Sequence, residues 1–252
     1  MSRLLALLIL CAWLAPAPAG PVVDARLTWS DRTELGTPLS GVVTDVLVKA
    51  GDRVNAGQPL VRLDRRAYIA RREAARGALT AAREARAEAQ RERDRIQELY
   101  DRTLLADHDL QAAQIEYSRA EAAYQRARAD LAAAEQRLDE AELNAPFAAR
   151  VVSVSVRGGQ AVVNSMQAVP MVTVARSGRM QALAWLPAGQ AGALKEGQAV
   201  RVSAGGRDFE GRILEVGLEP GGDEGLYPLR VEFAVDDSAG LRPGMAARLT
   251  LP

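Results

Sequence analysis

A side chain that does chemistry needs a suitable partner at the right spacing, and this chain offers few. His108 is the single histidine and Cys11 the single cysteine, so a Cys/His metal site or a Cys–His nucleophile pair has no material to build on. Met166, Met171, Met180 and Met245 could supply soft thioether ligands, but they are scattered through strand-like segments, where methionine fills core space. A carrier of a covalently attached cofactor needs an accessible lysine on a turn, and Lys49 and Lys195 are the only lysines. No phosphate-binding glycine loop and no paired carboxylates stand out. The residues therefore point to no catalytic site, no metal site and no bound cofactor. The 32 Lys+Arg balance 32 Asp+Glu, which leaves no electrostatic footprint for nucleic acid.

With chemistry set aside, the elements carry the information. The N-terminus, "MSRLLALLILCAWLAPAPAG", has a charged Arg3, an apolar run Leu4–Leu14 and the small-residue cleavage site Ala17-Pro18-Ala19. That run is far shorter than the roughly 20 residues that span a bilayer as a helix. Residues 1–19 are read as a cleaved secretory signal. A lipid-modified Cys11 is disfavoured, because Leu10 precedes it where lipoprotein signals carry a small residue.

Ser40–Asp64, "SGVVTDVLVKAGDRVNAGQPLVRLD", alternates valines with glycine turns at Gly51 and Gly57, the rhythm of half a lipoyl-type sandwich. The other half lies downstream. "ARVVSVSVRGGQAVV" from Ala149 aligns with "GVVTDVLVKAGDRVN" from Gly41, so that Val154 and Val156 fall on Val46 and Val48, and Gly159 on Gly51. "MVTV" at Met171–Val174 matches "LVRL" at Leu60–Leu63. Two half-motifs close into one sandwich, comprising residues 20–64 and 144–175, and everything between them is an insertion.

The insertion, residues 65–143, reads as a helical hairpin. Leu110, Tyr117, Tyr124, Leu131 and Leu138 recur every seven residues, each followed by an alanine three on, which is an a/d heptad pattern. The earlier arm answers with Tyr68, Ala75, Ala82, Ala89 and Ile96, and with a weaker, partly polar stripe at Arg71, Ala78, Ala85, Glu92 and Leu99. At about 1.5 Å per residue each arm reaches roughly 50 Å. Asp107 is the expected N-cap of the second arm, and "NAPF" at Asn144–Phe147 ends it. Alanine content and only 4% aromatics suggest thin, elongated packing rather than one thick core.

Beyond Ala175 the texture changes to short strands, expected near Met180–Leu186, Ala199–Ser203, Phe209–Leu218, Leu226–Val235 and Met245–Leu251, with a short helix at Pro187–Leu194. Residues 176–252 thus read as a small closed β-barrel. The fold class is α+β: a lipoyl-like β-sandwich split by a long antiparallel coiled-coil hairpin and followed by a barrel.

This order of parts, with "LNAPFAARVVSVSVRGGQAV", "LKEGQAVRV", "FEGRI" and "LRPGMAARLTL", resembles the periplasmic adaptor subunits, or membrane fusion proteins, of tripartite efflux pumps (the resistance-nodulation-division and HlyD-like group), whose sandwich is a barrel-sandwich hybrid. The resemblance covers nearly the whole mature chain. It implies that Gly51, Gly57 and Gly159 serve the sandwich turns, and that Gly211 with Arg242, Pro243, Gly244 and Met245 belongs to the barrel-closing motif. It also implies a contact surface at the hairpin tip. The family pattern of arginine, leucine four residues on and serine seven beyond falls on Arg95, Leu99 and Ala106. The serine is therefore lost, and Leu105, Asp107 and His108 complete the expected contact set. Ala149 stands where the family has glycine. The chain further reads as lacking the family's membrane-proximal domain.

By this resemblance the protein is not an enzyme. It is an adaptor in the periplasm of a Gram-negative bacterium, held at the inner membrane through its pump complex. It links an inner-membrane transporter, such as a proton-driven permease, to an outer-membrane channel of the TolC type. Copies associate into a ring, a hexamer or trimer of dimers, forming a sealed conduit. Service to an ATP-driven exporter is the alternative within this architecture. A lipoyl-type carrier and a purely structural coiled-coil envelope protein are the alternatives from other classes; the missing hairpin lysine and the secretory signal oppose the carrier.

Overall fold

A computed structural model describes residues 20–164, 169–221, 225–236 and 239–252. The signal segment with Cys11, and also Met166, lies outside the described residues. In chain order the strands and helices begin with β1 (Val22–Trp29), β2 (Thr33–Leu35), β3 (Gly41–Val46), β4 (Arg53–Val54) and β5 (Pro59–Leu63). The helices α1 (Arg66–Asp101) and α2 (Asp107–Glu140) follow, then β6 (Glu142–Asn144), β7 (Ala149–Val154), β8 (Ala161–Val162) and β9 (Val172–Arg176). The remainder is β10 (Arg179–Leu186), a short α3 (Ala188–Ala191), β11 (Ala199–Ala204), β12 (Arg207–Val216), β13 (Tyr227–Ala234) and β14 (Ala246–Thr250). These elements form two compact units, Arg32–Ser177 and a second made from residues 20–31 with Gly178–Pro252.

In the first unit the repeat folds by exchange. β3 and β5 pair antiparallel and take β8 from the other half as their neighbour, while β7 and β9 take β4. The two sheets are ordered β6-β5-β3-β8 and β2-β9-β7-β4. Each half thus lends its short middle strand to the other, so neither half is a complete sheet alone. The register carries the same irregularity in both, between Val43 and Asp45 and between Val151 and Ser153. The turn bonds repeat as well: Gly51 N–H donates to Val151 O and Gly159 N–H to Val43 O, both at 2.8 Å. Gly51 and Gly159 sit at φ +94° and +82°, a conformation that a Cβ disfavours. The core between the sheets includes Val43, Leu60, Leu63, Val151, Met171, Val172 and Val174, all almost fully buried. Ala149, fully buried within β7, pairs with Val54 and Arg176, so the alanine continues the strand where the family pattern has glycine.

The second unit is a closed barrel of six antiparallel strands in the order β1-β10-β13-β12-β11-β14. Residues 20–31, grouped with the sandwich by the sequence reading, contain β1, which pairs with β10 and β14 and buries Ala25 and Leu27 in the barrel core. The physical reason is closure: without β1, β10 and β14 would each present an open edge. The Arg242–Met245 turn holds β1 in place, since Gly244 N–H donates to Leu27 O and Leu27 N–H to Met245 O. Gly211 fits tight packing, because a Cβ there would lie 2.7 Å from Val231 Cγ1 and 2.9 Å from Val202 Cγ2.

Candidate functional site

The hairpin springs from two adjacent strands. β5 pairs with β6, and Leu63 N–H donates to Ala141 O at 2.9 Å, so α1 leaves and α2 returns side by side. Glu142 accepts from Arg62 Nε at 2.7 Å and from Arg65 Nη1 at 3.3 Å. Thr37 Oγ1 donates to Glu140 O at 2.6 Å, and Tyr68 OH to Ser40 O at 3.3 Å. Asp64 accepts from both the backbone N–H and the guanidinium of Arg66, which holds its carboxyl down at a pKa of about 2. The root of α1 is thereby tied to the sandwich by charge-assisted bonds, and that of α2 by the neutral bond from Thr37.

Along the arms, α2 turns Leu110, Tyr117, Tyr124, Leu131 and Leu138, with Ala113, Ala120, Ala127 and Ala134, away from solvent, and of these Ala127 and Leu138 are fully buried. On α1 the inward residues are Tyr68, Ala75, Ala82, Ala89 and Ile96 together with Arg72, Leu79, Arg86, Arg93 and Tyr100. The second stripe therefore follows the first by four positions, not three. Arg71, Ala78, Ala85 and Glu92 are exposed, and only Leu99 of that set is half-buried. The reason lies in the arginines. Arg93 stacks over the Tyr117 ring with its guanidinium carbon 4.3 Å from the centroid, and Arg86 lies 5.0 Å above Tyr124. Arg86 also forms an ion pair with the Glu121 carboxylate. An arginine buries its stem and lays its planar cation on an aromatic face, so positions that look solvated in the sequence belong to the seam. The pairs Arg93–Tyr117 and Arg86–Tyr124 also establish that the arms run antiparallel.

At the tip, residues 102–106 reverse the chain. The end of α1 is closed by two bonds, Thr103 N–H to Tyr100 O at 2.8 Å and Leu104 N–H to Leu99 O at 3.0 Å, the Schellman arrangement. It needs a left-handed residue, and Thr103 takes that place at φ +59°, a strain of about 1 kcal/mol for an L-residue. The N-cap of α2 is Ala106, not Asp107. Its N–H is accepted by Asp109 Oδ2 at 3.3 Å, and the Asp107 carboxylate beside the Tyr100 phenol pushes that phenol's pKa up.

Arg95 is exposed on α1, but its guanidinium is held by Glu92 through bonds of 2.9 Å and 2.6 Å. Leu99 and Leu105 are half-buried, while Ala106, Asp107 and His108 are exposed. His108 stands beside Asp109 at 4.0 Å. Among the described residues no cluster of His, Cys, Asp or Glu could hold a metal ion, and no helix is long and apolar enough to cross a membrane. Arg102 and Leu104, both exposed at the turn, were passed over by the sequence reading.

Residues 32–175, the split sandwich with its hairpin and more than half of the chain, match the RND MFP barrel-sandwich hybrid domain family. The chain is a membrane fusion protein. It is 30% identical over 228 residues to the nodulation protein NolF of Rhizobium meliloti strain 1021, an alignment covering 88% of this chain and 60% of that relative. The chain thus spans three fifths of the length of that relative. Among solved structures, the membrane fusion protein Spr0693 of Streptococcus pneumoniae R6 shares the fold at TM-score 0.70 and 19% identity, over 91% of this chain and 97% of the other. A MacA–MexA chimera carrying the Pseudomonas aeruginosa MexA α-hairpin matches at TM-score 0.71 and 22% identity, over 93% and 82%. As a membrane fusion protein the chain is an adaptor rather than an enzyme.

Proposed function

We propose that this membrane fusion protein works in the periplasm, linking an inner-membrane transporter to an outer-membrane channel of the TolC type. Several copies form a ring and a sealed conduit for export, and a proton-driven permease supplies the energy. The hairpin tip is the channel-facing end, and the sandwich and barrel serve self-association and transporter docking. The observation that carries this reading is the hairpin itself: two helices of 36 and 34 residues, rooted on adjacent strands and ending in a tip of exposed residues. At about 1.5 Å per residue each helix is roughly 50 Å long, a reach that an isolated carrier domain has no use for.

The test is Arg95→Asp, assayed by export under drug or metal challenge and by co-purification of both partners. Export and channel co-purification are expected to be lost, while the protein stays folded and keeps its transporter. If Arg95→Asp retains full export and channel binding, Arg95 is not part of the contact surface and the role that the resemblance gives it fails.

A further inference from the structure

At the tip, the arginine that the resemblance selects is already engaged within the chain. Arg95 is held by Glu92, and Asp109 caps Ala106. Two others are not. Arg102, the C-cap of α1, is exposed and has no ion pair among the described residues. Leu104 is 66% exposed, although a Schellman cap ordinarily folds this residue back onto the preceding turn, where Leu99 is available. The turn that holds Leu104 outward places a β-branched threonine in the left-handed region, where glycine or asparagine is the usual choice. An outlier of this kind persists where the surrounding structure fixes it, and such outliers gather at ligand clamps and contact sites.

We propose that Leu104 and Arg102 form the leading contact of the tip on the outer-membrane channel, a proposal that rests on the function given above. Leu104 fills an apolar cleft at the channel's periplasmic end, and Arg102 donates to carbonyl or carboxylate oxygens on its rim. The chemistry suits the residues. An apolar anchor loses its water on docking, and an adjacent guanidinium offers several fixed donors to planar acceptors; centres of this composition dominate the energy of many interfaces. Both groups sit on a turn fixed by two backbone bonds, so little side-chain and loop ordering is left to oppose binding. Thr103 then acts as a positioning residue.

The test measures binding of the purified adaptor to a detergent-solubilised TolC-type channel from the same cells by biolayer interferometry, using Leu104→Ser, Leu104→Met, Arg102→Gln and Arg95→Asp. Circular dichroism checks that each variant is folded, as expected for changes at exposed positions. Leu104→Ser should weaken binding about tenfold, chiefly through faster dissociation, with Leu104→Met restoring most of it. Arg102→Gln should weaken binding several-fold and flatten its salt dependence. If Leu104→Ser and Arg102→Gln bind within twofold of the parent while Arg95→Asp abolishes binding, the inference is overturned and the adaptor function stands. If all four variants bind like the parent, the channel-facing role of the tip falls with it.

Discussion

Within the unit Arg32–Ser177, a continuous core from Val43 to Val174 closes the sandwich, whereas α1 buries no residue fully and α2 only Ala127 and Leu138. The sandwich is stabilised by apolar area removed from water. The hairpin relies on a narrow seam of half-buried leucines and alanines with arginine–tyrosine stacking. The difference suits the two parts. A two-layer core specifies one geometry sharply, because every lost methylene leaves a void. A seam only two helices wide spreads its stability over many small contacts along its length, so no single residue decides whether it forms.

Paired truncations test this contrast first. Leu60→Ala, at a fully buried site between the sheets, should cost about 3 kcal/mol through lost transfer energy and a cavity. Leu131→Ala, at a half-buried seam position, should cost about 1 kcal/mol, because solvent fills the space. Hydrogen-exchange protection resolves the two regions separately. Equal losses would mean that the seam is as tightly packed as the core, and the contrast would fail. Leu131→Asp should cost more than Leu131→Ala, since it brings a charge into the seam.

A smaller effect addresses what the seam is made of. A double-mutant cycle on Arg93→Met and Tyr117→Leu should give a coupling of about 0.5–1 kcal/mol, compared with no more than about 0.5 kcal/mol for the exposed Arg119–Glu116 pair on the helix surface. A vanishing coupling for the first pair would reduce the hairpin to apolar contacts alone.

The same contrast explains what could be read without coordinates. The repeat was legible because Gly41–Val54 and Ala149–Val162 use the same bulge and the same turn bonds, and identical local geometry demands similar residues. On α2 the seam consists of large apolar residues and alanines, so its phase was plain. On α1 three of the five residues of the second stripe are arginines, Arg72, Arg86 and Arg93, and a search for apolar periodicity passed over them. β1 was missed for a different reason. Its alternation, Ala25 and Leu27 inward, was visible, but its partners β10 and β14 lie some 150 residues or more downstream, and no local signal reports a pairing at that range. At the tip, the family pattern drew attention to Arg95 and Leu99. The strain at Thr103 is a backbone property that residue types do not announce, so Leu104 and Arg102 stayed hidden.

The smallest expected effect lies where sandwich and hairpin meet. Asp64 follows the last residue of β5, and its carboxylate accepts from the Arg66 guanidinium and backbone N–H at the start of α1. These bonds favour the charged form and hold its pKa at about 2, below the ordinary carboxylate value of about 3.9. The sign follows from that depression. The interaction contributes above the unfolded pKa and is lost as pH falls from about 4 through about 2. Arg66 is largely exposed, so solvent screening keeps the gain small. The measurement is the titration of the Asp64 carboxyl carbon by nuclear magnetic resonance in the parent and in Arg66→Gln. The midpoint should lie near 2 in the parent and move up towards the ordinary range in Arg66→Gln, with the backbone bond alone holding it slightly below. In the same samples the first turn of α1 should lose exchange protection on acidification before the β5 amides do, because those amides rest on the buried core. If the β5 amides open with the helix start, the root of the hairpin and the sandwich form one cooperative unit, and the line drawn between the two regions belongs further along the helices.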